Sequence, residues 1–211
     1  MASGKFRKVF HSPFTIHHSS LALMRRYKIF GLIASICLLA VGLYFFNQYW
    51  IHRYDDIIQR QAKVYRLDPK FVWSVIYEET YFRSWKRGAA GEIGLMQIRP
   101  VVAQEWARET GMREFTQQVS KNLDGVLLEP ERNIQIGCWY LEKSGEQYRG
   151  FPAETAMTLA AYNAGASRVD DWTKGADSSK LSEREFIERI NIPSTKSYVA
   201  SILERYRKSQ K

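Results

Sequence analysis

The chain has 211 residues, room for one ordinary domain and an appendage, and a formal net charge of +9. Residues 1–50 hold six Lys or Arg and no acid, which leaves 25 basic against 22 acidic side chains in the rest. The excess therefore belongs to the N-terminal arm, and a strongly basic, nucleic-acid-binding domain is excluded as its source. The two cysteines, Cys37 and Cys138, exclude a disulfide framework. No metal-ligand spacing is present, and neither a metal nor a cofactor is expected.

The first element in chain order is an uncharged run of 18 residues, 29–46. As a helix it would be about 27 Å long, against a hydrocarbon thickness of roughly 30 Å. Tyr27 before it and Tyr49 with Trp50 after it are interfacial residue types. Arg25, Arg26 and Lys28 precede it and Asp55 and Asp56 follow, so the positive-inside bias puts residues 1–28 in the cytoplasm. A cleavable signal peptide fits less well, because Asn47-Gln48-Tyr49-Trp50 stands where a small-x-small site would be. Bulky Ile36 before Cys37 argues against a lipoprotein site. The expected organisation is a basic cytoplasmic tail (1–28) whose first 20 residues, with His11, His17 and His18, are flexible. A membrane anchor (29–50) and a domain on the far side of the membrane (51–211) follow.

Beyond the anchor the periodicity is helical throughout. Residues 52–66 carry Ile57, Ile58, Ala62 and Tyr65 on one side. Asp68-Pro69 is a helix start, with Asp as N-cap and Pro at the first helical position, and this helix should reach about Phe82. Gly88, Gly91 and Gly94 mark a loop. Pro100 opens a helix that Gly111 stops, and residues 112–129 read as a polar loop. Further helices are predicted from Glu129-Pro130 to near Gly150, over 152–163, from Gly165 through Trp172, and near 183–190 and 194–208. No stretch alternates as a strand does, so the class is all-α.

Two adjacent carboxylates, Glu78 and Glu79, end the helix that begins at Pro69. With Phe71 at zero, the apolar face centres near 60°, Glu79 falls at about 80° and Glu78 at about −20°. Glu79 thus points nearer the buried side, where desolvation disfavours its charge and equips it to donate a proton. Downstream stand Gly94-Leu95-Met96-Gln97 and Ala161-Tyr162-Asn163-Ala164-Gly165. In the first, Gly94 permits a tight turn, Met96 offers an adaptable apolar wall, and Gln97 carries both a donor and an acceptor. In the second, small residues allow close helix packing, and Asn163 with Gly165 suits a helix end.

The ordered set Glu79-Thr80-x-Phe82, Gly-Leu-Met-Gln and Ala-Tyr-Asn-Ala-Gly resembles the catalytic domain of soluble-type lytic transglycosylases, relatives of goose-type lysozyme. Asn133-Ile134, Gly137 and Tyr140-Leu141 fit the same pattern as scaffold, and the resemblance covers roughly residues 54–205. It departs at Gly88, where the family usually has Ser, and at Ser194 and Lys196, where it usually has Glu and Arg. The resemblance implies a lysozyme-like fold and, as substrate, the glycan strands of peptidoglycan. It makes Glu79 the catalytic acid and puts Gly94, Leu95, Met96, Gln97, Tyr162 and Asn163 at the substrate, with Tyr162 bonding near the acid. It also implies cleavage without water, Glu79 acting as acid and then as base, since no Asp or Glu lies between Gly94 and Gln104. A lysozyme-like hydrolase and an inactive wall-binding module are the alternatives. The expected partners are glycan strands and the membrane, not nucleic acid, and the sequence specifies no envelope-machinery partner.

Overall fold

The computed structural model describes residues 17–112 and 122–211, with side chains from residue 23 onward. Among these the fold is all-α, and the chain divides into two units, the second beginning at Trp50. Helix α1 (His17–His52) contains the apolar run, and its large hydrophobic side chains between Leu23 and Tyr49 are exposed. It is long and apolar enough to cross a membrane by length and composition. Of the first 20 residues, expected as a flexible tail, 17–20 are already helical, and residues 1–16 lie outside the described residues.

The second unit is built from α2 (Asp55–Val64), α3 (Pro69–Thr80), α4 (Pro100–Glu109), α5 (122–128) and α6 (Pro130–Gly145). A 3₁₀ turn (Glu146–Tyr148) leads to α7 (Glu154–Ala164), α8 (Ala166–Thr173), α9 (Glu183–Arg189) and α10 (Pro193–Gln210). Helix α7 is the hub, packing against α6, α8, α9 and α10. Its sequence explains this: the seven residues from Ala156 to Tyr162 are all buried, and Ala156, Ala160 and Ala161 let neighbouring helices come close. Helix α10 also packs on α3, and that contact brings the C-terminal helix to the candidate acid.

Local signals set the helix starts. Asp68 accepts the Lys70 N–H at 2.8 Å, and Pro69 follows at the first helical position. Glu129 accepts from the Glu131 and Arg132 amides ahead of α6. Ser182 and Glu185 close a capping box on α9. Two boundaries differ from expectation. Helix α3 ends at Thr80 rather than Phe82, because Tyr81 and Phe82 both turn left-handed, at φ 51° and 60°. The expected polar loop over 112–129 is helical at 122–128, where Leu127 is wholly buried and Leu123 and Val126 pack on the core. Four apolar residues, Leu123, Val126, Leu127 and Leu128, anchor one short helix, a pattern too brief for periodicity to betray. Residues 113–121 lie outside the described residues.

Candidate active site

The left-handed pair after α3 leaves the carbonyls of Tyr81 and Phe82 without helical donors. The Trp50 indole N–H donates to the Tyr81 carbonyl at 2.9 Å, and the Arg53 guanidinium donates to that of Phe82. This fixes the end of α3, and so the direction of the two glutamates just before it. Their fates then separate. Glu78 forms an ion pair with Arg205 of α10 at 2.9 Å, and Arg205 also lies over the Tyr77 ring. Glu79 turns into a polar cleft of about 370 Å³.

The cleft is lined by Glu79, Glu92, Gln97, Ile98, Arg99, Val102, Tyr140 and the 162–165 segment. The Tyr198 hydroxyl donates to Glu79 Oε1 at 2.8 Å. No basic side chain pairs with the Glu79 carboxylate among the described residues; Arg83 donates to the Thr80 carbonyl instead, and Arg87 pairs with Asp124. Burial therefore dominates and raises the Glu79 pKa from 4.5 to about 7. The Tyr198 hydrogen bond and Lys86 pull it down, while Glu78 and Glu92 push it further up. Burial, with the nearby Glu79 charge, also holds the Tyr198 and Tyr162 phenols well above their usual range, so both remain donors.

The Gly-Leu-Met-Gln motif stands mostly behind this cleft rather than in it. Gly94, Leu95 and Met96 are buried, and only Gln97 reaches the cleft. The Asn133 side chain holds the motif: its Oδ1 accepts from the Met96 N–H at 2.8 Å, and its Nδ2 donates to Ile93 and Leu127 carbonyls at 2.8 and 2.7 Å. Gly94 must be glycine here, since φ is +77° and a Cβ would collide with Asn133 and the Leu127 carbonyl. Thr80 donates to the Leu95 carbonyl at 2.9 Å and ties the motif to the end of α3. Met96 is thus a core residue, not an adaptable cleft wall. Gln97 directs its amide N–H bonds to the Gly94 and Lys86 carbonyls, so it is the acceptor oxygen that remains available.

Tyr162 does line the cleft, but its hydroxyl donates to the Met96 carbonyl at 2.7 Å, not to the acid. The tyrosine bonded to Glu79 is instead Tyr198 of α10, which no local sequence signal singled out. Asn163 is exposed on the cleft, and its Oδ1 accepts from Thr195 of α10 at 2.7 Å. The neighbouring departure, Lys196, donates to the Glu188 carbonyl on α9.

A second cleft carboxylate, Glu92, was also missed. Its Oε2 accepts the Ala90 N–H at 3.0 Å. A Cβ added at Gly88 would collide with Glu92 Oε2 and stand 2.9 Å from Gln97 Oε1. The departure at Gly88 thus has a physical content: the space of a missing side chain is taken by the Glu92 carboxylate.

A helical domain in which one buried carboxyl meets a polar cleft is of the lysozyme-like class. Within that class the chain belongs to the Transglycosylase SLT domain family, whose model matches residues 56–184. It is 29% identical over 150 residues to a soluble lytic murein transglycosylase of Salmonella typhimurium, covering 71% of this chain and 22% of that protein. It is 27% identical over 173 residues to membrane-bound lytic murein transglycosylase E of Buchnera aphidicola, covering 78% of this chain and 72% of the relative. The structure is similar to an inactive mutant of lytic transglycosylase Slt from Pseudomonas aeruginosa, with TM-score 0.64 and 28% identity over 76% of this chain and 25% of the other. The chain thus spans about a quarter or less of the two large soluble proteins.

Proposed function

We propose that this protein is a membrane-anchored lytic transglycosylase that cleaves the β-1,4 bond between N-acetylmuramic acid and N-acetylglucosamine. The observation that carries the reading is Glu79: a carboxyl in a polar cleft, hydrogen-bonded by Tyr198, with a pKa raised to about 7. Such a group is protonated for a useful fraction of the time near neutrality, and its conjugate base is strong enough to take the proton back. Family membership and the names of the relatives support the substrate class.

Glu79 protonates the bridging oxygen, and the bond to C1 of the muramic residue breaks. The 2-acetamido group stabilises the oxocarbenium-like centre. The C6 hydroxyl of the same sugar then attacks C1 and gives its proton to the Glu79 carboxylate. A 1,6-anhydro ring closes, and no water is consumed. The attacking hydroxyl is part of the substrate, which gives it a large proximity advantage over solvent. In this scheme Tyr198 holds Glu79, and Gln97, Tyr162 and Asn163 contact the sugar.

Hydrolysis is the second reading, and Glu92 is the observation that favours it: a second carboxylate lining the same cleft could activate a water. Digestion of purified sacculi with the full chain in detergent, followed by mass analysis, decides between them. Anhydro ends, one water lighter than hydrolytic ends, are expected. Hydrolytic ends that vanish in Glu92→Gln would establish the second reading, and anhydro products at an undiminished rate in Glu79→Gln would refute both. The anchoring part of the proposal rests on α1 and the basic residues before it, with the domain outside the cytoplasmic membrane. Accessibility of the domain to added protease in spheroplasts, but not of residues 1–28, is the expected result.

A further inference from the structure

Trp85 sits in the loop that follows the acid and is 59% exposed, yet it is not part of the cleft wall. Its ring packs edge-on against Trp50, with centroids 5.7 Å apart. Trp50 in turn is locked to the end of α3 through the Tyr81 carbonyl, and Arg53 lies over its other neighbourhood at 3.5 Å from the ring centroid. Ile51 is buried, and its carbonyl accepts from the Trp73 indole at 3.0 Å. Trp50, Ile51 and Arg53, the residues just past the apolar run, therefore belong to the second unit and pack on its α3 end and the loop after Glu79.

Chain length then limits where this loop can be. Trp50 follows Phe46 by four residues, about 6 Å of helix rise. A hydrocarbon core of roughly 30 Å lies inside a bilayer of about 40–45 Å, so that step ends among the headgroups. Arg83 and Trp85 are exposed, while Arg87, also exposed, is paired with Asp124 at 2.8 Å. An amphipathic indole two residues from an exposed guanidinium is suited to a headgroup layer, where indoles concentrate and cations meet lipid phosphates.

We propose that residues 83–87 are a membrane-interface contact, with Trp85 seated among headgroups beside Trp50 and with Arg83 against lipid phosphates. The inference rests on the reading of α1 as a membrane span. Its consequence for substrate is that the Glu79 cleft works on glycan lying at the membrane face, such as a strand still joined to a lipid carrier.

The test uses the full chain with Cys37→Ser, reconstituted in vesicles of phosphatidylethanolamine and phosphatidylglycerol. A nitroxide is attached in Trp85→Cys or, as a control on an exposed loop, in Lys174→Cys. The expected result is an oxygen-to-nickel-chelate accessibility ratio several-fold higher at position 85 than at position 174. Equal ratios in carbonate-resistant protein overturn the inference while leaving the anchor intact. Extraction by carbonate overturns the anchor and the inference together. As a second measurement, Trp85→Ala in detergent should turn over detached glycan within about twofold of the wild-type rate. A tenfold loss there would make Trp85 a sugar platform and overturn the interface role.

Discussion

Two consecutive stretches of the loop between α3 and α4, its rigid and its variable wall, are held by different means. On one side, Asn133, Thr80 and Tyr162 converge on the backbone of residues 93–96 through buried hydrogen bonds. On the other, residues 86–92 carry Gly88, Glu92 and Lys86, and most of them are exposed or half-buried. Buried polar bonds are costly to break singly, because each leaves a desolvated partner behind, whereas half-solvated groups can be exchanged for water. The first wall should therefore resist substitution, and the second is free to vary. The departures from the family pattern fit this division: Gly88 lies in the second wall, and Ser194 and Lys196 at the start of α10.

The largest effect should come from the acid itself. Glu79→Gln is expected to lower turnover by about a thousandfold or more in a folded protein, because general acid–base catalysis contributes about 10²–10⁴. The same change should stabilise the fold above pH 7. The folded pKa lies above the unfolded value of 4.5, so the wild type takes up protons on folding between pH 4.5 and about 7 and loses stability as pH rises through that window. Denaturant melts of the two proteins should coincide near pH 4 and differ by on the order of 2–3 kcal/mol at pH 8. Equal stability at pH 8 would mean that the carboxyl is not held in a desolvated place.

Asn133→Ala tests the rigid wall. Three buried hydrogen bonds are lost and two carbonyls and an amide are stranded, so a destabilisation of about 3 kcal/mol is expected in urea melts. A loss under about 1 kcal/mol would show that this wall is no stiffer than the other. Tyr198→Phe removes the hydrogen bond that lowers the Glu79 pKa. The alkaline limb of the pH–rate profile should move to higher pH, with turnover falling roughly tenfold as the acid loses its fixed position.

The smallest effects belong to the variable wall. Glu92→Gln removes a charge that raises the Glu79 pKa, so the alkaline limb should move slightly to lower pH. Gly88→Ser alone should destabilise by less than about 1 kcal/mol, because its Cβ meets the far ends of the half-buried Glu92 and Gln97 side chains, which can move aside. Combined with Glu92→Ala, the cost of Gly88→Ser should largely disappear, and strict additivity would show that the two positions are not coupled.

Legibility in the sequence divides along the same line. Helix starts were readable at Asp68-Pro69 and Glu129-Pro130 because capping is local chemistry. Glu79 was distinguishable from Glu78 because the phase of one helix decides which side chain turns inward. Tyr198 and Glu92 were not readable as site residues. Tyr198 is 119 residues from Glu79 and meets it only because α10 packs on α3. Glu92 enters the cleft only because Gly88 is empty, and one glycine among the loop's several has no mark that says so. The short helix at 122–128 escaped for a related reason, since burial of Leu127 depends on distant partners.

By itself the sequence determined what short-range physics can: an apolar run of membrane length, an all-α class, the capped helix starts and one inward-facing carboxyl. Only the tertiary structure decided which tyrosine holds that carboxyl, that Gly94, Leu95 and Met96 stand behind the cleft while Gln97 faces it, and that Trp85 leans on Trp50. The reason is that helix periodicity and capping act over three or four residues. The surroundings that shift a carboxyl toward neutrality are assembled instead from helices more than a hundred residues apart, by packing that no local pattern encodes.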